Sequence, residues 1–136
     1  MKKVLFFFVF TCSMTLAAQA AGYKSHPPQA VATAFQQKFP NVTDVDWSQE
    51  KNGEWEAEFE QNEVDMSANF SADGKWLETE TEIKISELPA PVRTALTGKK
   101  IKEAARILRA DGSTVYEAEV RGKDWLFDAQ GKSMQQ

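Results

Sequence analysis

The sequence predicts an α+β fold in which two tandem units, each a helix followed by antiparallel strands, form one continuous antiparallel sheet. About eight strands are expected, with both helices packed on one face of the sheet. Residues 55–59 (WEAEF) and 116–120 (YEAEV) alternate apolar and acidic side chains, which is typical of a half-buried strand. A strand that ends in Phe and is followed by a Gly-containing turn also occurs twice. The two segments, 70–75 and 127–132, are 57 residues apart.

Residues 1–20 have the three parts of a cleavable secretory signal. Lys2 and Lys3 precede an apolar stretch over 4–16, and the small residues 18–20 (AQA) complete the pattern, so we expect cleavage after Ala20. The apolar stretch is shorter than the roughly 20 residues that span a bilayer. We therefore predict a periplasmic or secreted protein whose single domain, 21–136, consists of repeats at about 28–83 and 84–136.

Composition excludes several classes of function. The 136-residue chain has 16 basic and 20 acidic residues, and loss of Lys2 and Lys3 with the signal leaves 14 basic residues. This acidic balance argues against nucleic acid or an anionic membrane as a partner, because both are bound by basic patches. The single cysteine, Cys12, lies within the signal, so the mature chain has no disulfide and no thiol nucleophile.

The first unit begins with a predicted helix from Pro28 to Phe39, whose apolar residues recur at helical spacing. Four strands are predicted near 45–48, 55–60, 64–70 and 76–83, separated by turns at 52–53, 61–62 and 73–74. The direction of Trp76 is left open by the pattern. A two-residue turn would place it outside, whereas a three-residue turn with a bulge would pair it with Phe70.

The second unit begins with a predicted helix that carries Leu88, Val92 and Leu96, is capped by Ser86 or a residue close to it, and ends at Gly98. Strands are predicted at about 101–110, 114–120, 124–127 and near Ser133. The large apolar side chains predicted to lie between the sheet and the helices are Trp47, Trp55, Phe59, Met66, Phe70, Ile107, Tyr116, Val120, Trp125 and Phe127.

The repeated unit resembles the PepSY-like, β-lactamase-inhibitor-like family of secreted bacterial proteins. The resemblance is carried by residues 88–96 in the second helix, the YEAEV strand at 116–120 and the turn at 73–76, and it extends over 28–136. It implies a tandem helix-plus-sheet domain that binds a partner, such as a protein, rather than one that catalyses a reaction.

No catalytic or cofactor site is predicted. His26 is the only histidine, and it lies in a short arm beside two prolines, which is a poor support for the rigid base that nucleophilic catalysis needs. A zinc or copper site built on His or Cys is unsupported for the same reason. The sequence also has no GxGxxG motif or phosphate-binding loop.

Acidic residues are the remaining candidates, because they project from the sides of strands that face away from the predicted helices. One explanation is a solvated outer face; the others are a surface for a basic protein patch and a Ca²⁺ site, although no EF-hand-type loop is present. We therefore predict an exported, non-enzymatic binding or inhibitory module, with an acidic Ca²⁺-binding or metal-responsive envelope protein as the alternative. The predicted binding residues are Glu54, Glu56, Glu58, Asp65, Trp76, Glu117 and Glu119.

Overall fold

Eight strands, hydrogen-bonded to one another in chain order, form a single antiparallel sheet in a computed structural model that describes residues 26–134. The predicted signal peptide at 1–20 lies outside the described residues. The elements are α1 (Gln29–Lys38), β1 (Asp46–Gln49), β2 (Trp55–Gln61), β3 (Val64–Phe70), β4 (Trp76–Glu82), α2 (Ala90–Ala95), β5 (Ile101–Arg109), β6 (Thr114–Val120), β7 (Lys123–Phe127) and β8 (Ser133–Met134).

The predicted α+β class and the eight-stranded sheet with two helices are confirmed. The second helix begins later than predicted, because residues 85–87 form a separate 3₁₀ turn and α2 follows Pro89. Ser86 therefore does not cap α2, and Pro89, whose φ is −52°, precedes the helix without a side-chain cap. Arg93 connects α2 to the preceding 3₁₀ turn, because its Nη1 donates hydrogen bonds to the carbonyl oxygens of Ser86 (2.6 Å) and Leu88 (2.9 Å).

The first core cluster lies between α1 and strands β1 to β4. Phe35 of α1 is at its centre, with its ring centroid 5.1 Å from those of Phe39 and Phe59 and 5.3 Å from that of Trp47. Phe70 is fully buried beneath the same helix. The alternating pattern of residues 55–59 thus places Trp55, Ala57 and Phe59 on the helix side, as predicted.

The second core cluster lies between α2 and strands β5 to β7. Buried Leu88, Val92 and Leu96 pack against Ala104, Ala118, Val120 and Phe127. Both clusters lie on the same face of the sheet, because Thr81 of β4 pairs with Met66 on one side and Arg106 on the other, and Arg106 pairs with Tyr116. The two clusters have no residue in common.

Ile107 was predicted on the helix side, and this prediction is wrong. Ile107 pairs with Val115, whereas its neighbour Arg106 pairs with Tyr116, so Ile107 projects from the opposite face. There it forms a third apolar cluster with Val115 and Leu126 that includes no helix residue.

Trp125 is also less buried than predicted. It pairs with Ala118 on the helix side, but it is 37% exposed. The ammonium group of Lys99 lies 4.9 Å from the centroid of one of its rings, which covers part of the indole.

The turn between β3 and β4 determines which way Trp76 points. Phe70 pairs with Trp76 through a register shift, so Trp76 lies on the helix side of the sheet and packs against the first cluster. Its Nε1 donates to Thr79 Oγ1 at 2.9 Å, and Lys38 Nζ lies 3.5 Å above its ring. The bulged arrangement is therefore the one that forms, and Trp76 faces away from the acidic side of the sheet.

Each helix is contacted by a glycine of a distant turn, and the contact leaves no room for a side chain. A Cβ on Gly131 would lie 2.6 Å from the carbonyl oxygen of Pro91, and one on Gly74 would lie 2.7 Å from that of Ala30. Gly112 has a similar positive φ, +84° against +79° for Gly131, but nothing lies within 4 Å of its Cβ position. Gly112 thus offers a matched control with the same backbone strain.

We expect Gly131→Ala to destabilise the protein by about 1–3 kcal/mol more than Gly112→Ala, because only the former also forces the turn away from α2. Urea unfolding of the two variants gives the difference directly, since the penalty for positive φ is common to both. If both variants lose the same free energy of unfolding, the close approach of Gly131 to α2 contributes nothing to stability.

Candidate functional site

The sheet face opposite the helices, termed the open face, is covered by no helix of the described residues. Strand pairing places the alternate residues of each strand on this face, so that Glu56 on β2, Glu80 on β4 and Glu117 on β6 project from the same side. These three residues, one on every second strand, are called the carboxyl cluster.

The carboxyl cluster is buried although it faces away from the helices. Glu56 and Glu80 are each 7% exposed, and Glu117 is 6% exposed. The third apolar cluster accounts for part of this burial, because Ile107 pairs with Glu80 and Leu126 pairs with Glu117. Glu80 and Glu117 therefore lie beside apolar side chains, whereas Glu56 lies between the polar residues Ser48 and Asn69.

Burial shifts the protonation of all three groups. It raises the pKa of Glu56 from 4.5 to about 7, with smaller contributions from Glu58 and Glu50. Burial likewise raises the pKa of Glu117 to about 7, assisted by the charges of Asp124, Glu78 and Glu119. The pKa of Glu80 is raised well above its ordinary value, first by burial and then by Glu117 and Glu56.

Hydrogen bonding differs along the cluster. Ser48 Oγ donates to Glu56 Oε2 at 3.5 Å, and Ser67 also stabilises the ionised form of Glu56. Among the described residues, by contrast, Glu117 Oε2 is buried and has no hydrogen-bond partner. A buried acceptor without a donor costs free energy, so this oxygen calls for an explanation.

Cations occur at the ends of the open face rather than at its centre. Arg109 Nε lies 3.3 Å from Glu78 Oε2, and Lys102 Nζ lies 3.1 Å from both Glu119 Oε2 and Glu103 Oε1. Within residues 26–134, none of the ion pairs includes a member of the carboxyl cluster. The basic side chains of residues 26–134 thus form no ion pair with the central carboxyl groups.

The structure brings together most, but not all, of the predicted binding residues. Glu58, Asp65 and Glu119 lie on the open face, half-buried, around Glu56 and Glu117. Glu54 lies outside the strands, in the turn before β2, where its backbone N–H donates to Asn52 Oδ1 at 3.0 Å. Trp76 lies on the opposite side, under α1.

Glu80 is the member of the cluster that the predicted binding residues omit. Residues 78–82 alternate Glu and Thr, so both faces of β4 are polar and the pattern does not indicate which carboxyl group is buried. Glu80 could have been identified from its place in the predicted sheet. It lies at the centre of β4, which is a central strand, and side chains on the neighbouring strands bury most surface there.

The described residues include no arrangement typical of a metal centre. Within 26–134, no group of three or more His, Cys, Asp or Glu side chains is placed to hold a metal ion. His26 is exposed at the start of the described chain, before α1. Neither helix in this part of the chain is long and apolar enough to cross a membrane.

Solved structures share this fold. A protein described as a "putative periplasmic" protein from Bacteroides eggerthii aligns with TM-score 0.73 and 21% identity, over 82% of this chain and 88% of that chain. A DUF2874 family protein from Bacteroides ovatus aligns with TM-score 0.72 and 20% identity, over 82% and 86% of the two chains. A BLIP-like protein from Bacteroides fragilis aligns with TM-score 0.66 and 27% identity, over 84% and 86%.

The sequence matches one family model and no curated protein. The family is described as "Putative beta-lactamase-inhibitor-like, PepSY-like", and its model matches residues 53–134, from the turn before β2 to the end of β8. The match is shorter than the predicted resemblance over 28–136, because it leaves out α1 and β1. It still spans more than half of the chain, which therefore belongs to the PepSY-like, beta-lactamase-inhibitor-like family.

Proposed function

We propose that this chain is an exported binding or inhibitory module, without catalytic activity, that engages a protein partner through the open face. The observation that carries this proposal is the carboxyl cluster, three buried acids at the centre of a sheet face that the described helices leave uncovered. Burying ionisable groups together destabilises a fold, and such groups occur preferentially at functional sites.

The comparisons support the same proposal in part. The beta-lactamase-inhibitor-like description of the family and the BLIP-like neighbour favour protein binding, and the periplasmic neighbour favours export. The predicted signal at 1–20 and the predicted single domain at 21–136 agree with export of a small binding protein. No observation among residues 26–134 favours calcium binding, so protein binding is the one function proposed.

We also propose that the two units are copies of one ancestral unit, at about 28–83 and 84–136. In support, Gly74 contacts the carbonyl of Ala30 and Gly131 contacts that of Pro91, so each turn meets its own helix in the same way. The two turns also have the same backbone hydrogen bonds, from Ser71 N to Lys75 O, Gly74 N to Ser71 O, Asp128 N to Lys132 O and Gly131 N to Asp128 O.

Charge reversal on the open face tests the proposal. We expect the double variant Glu58→Lys, Glu119→Lys to lose at least about tenfold in recovery of the partner from a periplasmic extract, because two repulsive charges are introduced into the interface. Both residues are half-buried, which allows lysine to reach water, whereas lysine at buried Glu56 or Glu117 would disrupt the sheet itself.

The matched control is Asp44→Lys, Glu63→Lys, which reverses the same number of charges at two exposed loop positions. This control is expected to recover the partner as the unchanged protein does. If both double variants recover the partner equally well, the open face is not the binding surface.

A further inference from the structure

We propose that the carboxyl cluster binds the guanidinium group of an arginine that the partner presents, with Glu117 as one acceptor and Glu80, diagonally across β5, as the other. This inference rests on the proposed function, because it assigns the chemistry of the partner that the open face receives. It identifies a basic protein segment as that partner.

The strand order leaves a gap between the two carboxyl groups. Glu80 on β4 pairs with Ile107 of β5, and Glu117 on β6 pairs with Ala105, so the two acids lie diagonally across β5. Ala105 is 1% exposed and has no side-chain atoms beyond Cβ, so it leaves space beside Glu117 on the side that faces β4. Alternate strands of a sheet are about 10 Å apart, which leaves room for a flat group between the acids of β4 and Glu117.

Glu117 has an unused hydrogen-bond acceptor. Glu117 Oε2 has no hydrogen-bond partner within the described chain, although the residue is only 6% exposed. Two basic residues of β5 are already paired, Arg109 with Glu78 and Lys102 with Glu119 and Glu103. A donor from outside the chain would therefore satisfy an oxygen that the fold leaves unsatisfied.

Guanidinium fits this arrangement better than a metal ion or an ammonium group. It presents five N–H donors in a plane and can bond to two carboxylates at once, whereas an ammonium group is a compact point charge that prefers its hydration shell. A metal ion requires several oxygens converging on one point, and residues 26–134 offer no such group. The apolar neighbours Ile107 and Leu126 strengthen the pairing, since they reduce the local dielectric constant.

The charges around the gap couple arginine binding to proton release. Apart from Arg109 and Lys102, which are already paired, the charged groups around Glu80 and Glu117 are acidic. They are Glu56 and Glu58 from β2, Glu78 and Glu82 from β4, Glu119 from β6 and Asp124 from β7. Because burial raises the pKa of Glu117 to about 7, part of the population is protonated at neutral pH. A bound cation favours the ionised form, so binding releases protons and strengthens as pH rises.

Titration calorimetry with acetylated hexa-arginine amide tests the inference, and hexa-citrulline amide provides a neutral peptide of the same shape. We expect hexa-arginine to bind at least about tenfold more tightly at pH 8 than at pH 5.5, and to release roughly half a proton or more at pH 7. Proton release is obtained by comparing the binding enthalpy in phosphate and Tris buffers. Hexa-lysine is expected to bind several-fold more weakly than hexa-arginine.

Glu117→Gln is expected to reduce the proton release and to abolish the preference for arginine over lysine. Glu60→Gln removes an exposed carboxylate from the same face and is expected to change neither. Circular dichroism confirms that each variant is folded. The inference is overturned if Glu117→Gln and Glu60→Gln bind the peptide equally, if hexa-lysine binds as tightly as hexa-arginine, or if hexa-arginine fails to bind at millimolar concentration.

The outcome separates this inference from the proposed function. If Glu58→Lys, Glu119→Lys loses the partner while Glu117→Gln retains it fully, the open face is still the binding surface and the arginine site is rejected. If Ca²⁺ binds in a Glu117-dependent way and hexa-arginine does not, the arginine site is likewise rejected.

Discussion

Replacing Glu56, Glu80 and Glu117 together by glutamine is expected to stabilise the protein by about 3–6 kcal/mol at pH 8 and to leave its stability at pH 4.5 nearly unchanged. In the unchanged protein, ionisation of these acids at alkaline pH opposes folding. Glutamine has almost the same shape and carries no charge at any pH, so the variant avoids that cost.

The sign follows from proton binding. Burial raises the pKa of Glu56 and of Glu117 from 4.5 to about 7 in the folded state, so between these values the folded protein holds more protons than the unfolded chain. Stability therefore falls as pH rises through this window and levels off above it. Each shift corresponds to about 3 kcal/mol, and the repulsion between the groups makes their contributions non-additive.

Two exposed turn residues give the opposite trend at lower pH. Hydrogen bonds from Ser71 and Ser113 hold the pKa of Asp73 and of Asp111, respectively, below the ordinary value of 3.8. Their contribution to stability is present at higher pH and is lost in acid. The protein should consequently be most stable near pH 4.5.

Urea unfolding followed by tryptophan fluorescence, at pH 4.5, 6, 7 and 8, measures this profile for the unchanged protein, the triple variant and Glu60→Gln. Glu60 is exposed on the same face, so its replacement should leave the profile as it is. A stability of the unchanged protein that rises from pH 4.5 to pH 8 would contradict the burial of the carboxyl cluster.

Phe35→Ala is expected to cost about 3–5 kcal/mol, a large fraction of the stability of a domain of this size. Phe35 is 3% exposed and its ring contacts four other aromatic rings, those of Phe39, Trp47, Phe59 and Phe70. Truncation removes these contacts and leaves a cavity that the rigid strands beneath cannot fill. A lower midpoint for urea unfolding, with an unchanged slope, is the expected result.

Gln37→Ala provides the control within the same helix. Gln37 is exposed on the outer side of α1, and surface substitutions of this kind change stability by about 0.5 kcal/mol or less. A loss below about 1 kcal/mol for Phe35→Ala would show that α1 does not depend on its aromatic cluster.

The parts of the fold that could be predicted are those in which side chains alternate strictly. In β2, apolar residues at 55, 57 and 59 and acids at 56 and 58 allow only one orientation toward a core, and the structure has that orientation. The turn between β2 and β3 lies one residue later than predicted, at 62–63 instead of 61–62, because Gln61 pairs with Val64. The loop between β1 and β2 spans 50–54 and includes the predicted turn at 52–53.

Strand β5 shows why the rest could not be predicted. Its sequence, IKEAARILR, has apolar residues at both even and odd positions, and its pairing with β6 shifts between Ile101 and Ala104. Ile107 could have been assigned to either face on periodicity alone. Because Ile107 and Val115 lie on the open face, they bury carboxyl groups that the sequence suggested would be solvated.

The burial of the carboxyl cluster could thus not be predicted from the sequence, for a physical reason. Alternation indicates which side of a strand a glutamate occupies, but exposure depends on the residues of neighbouring strands and on their register. Glu60 and Glu56 both occupy the acidic side of β2, yet only Glu56 is buried.

The separation of the helix-side core into two clusters has a consequence for native-state fluctuations. Since the clusters share no side chain, detachment of one helix leaves the other packed on its own strands. We therefore expect amide protons of α1 and α2 to be protected by different opening reactions, with the six-residue α2 held by aliphatic Leu88, Val92 and Leu96. The domain is then expected to open as two units that are joined by the backbone hydrogen bonds between β4 and β5.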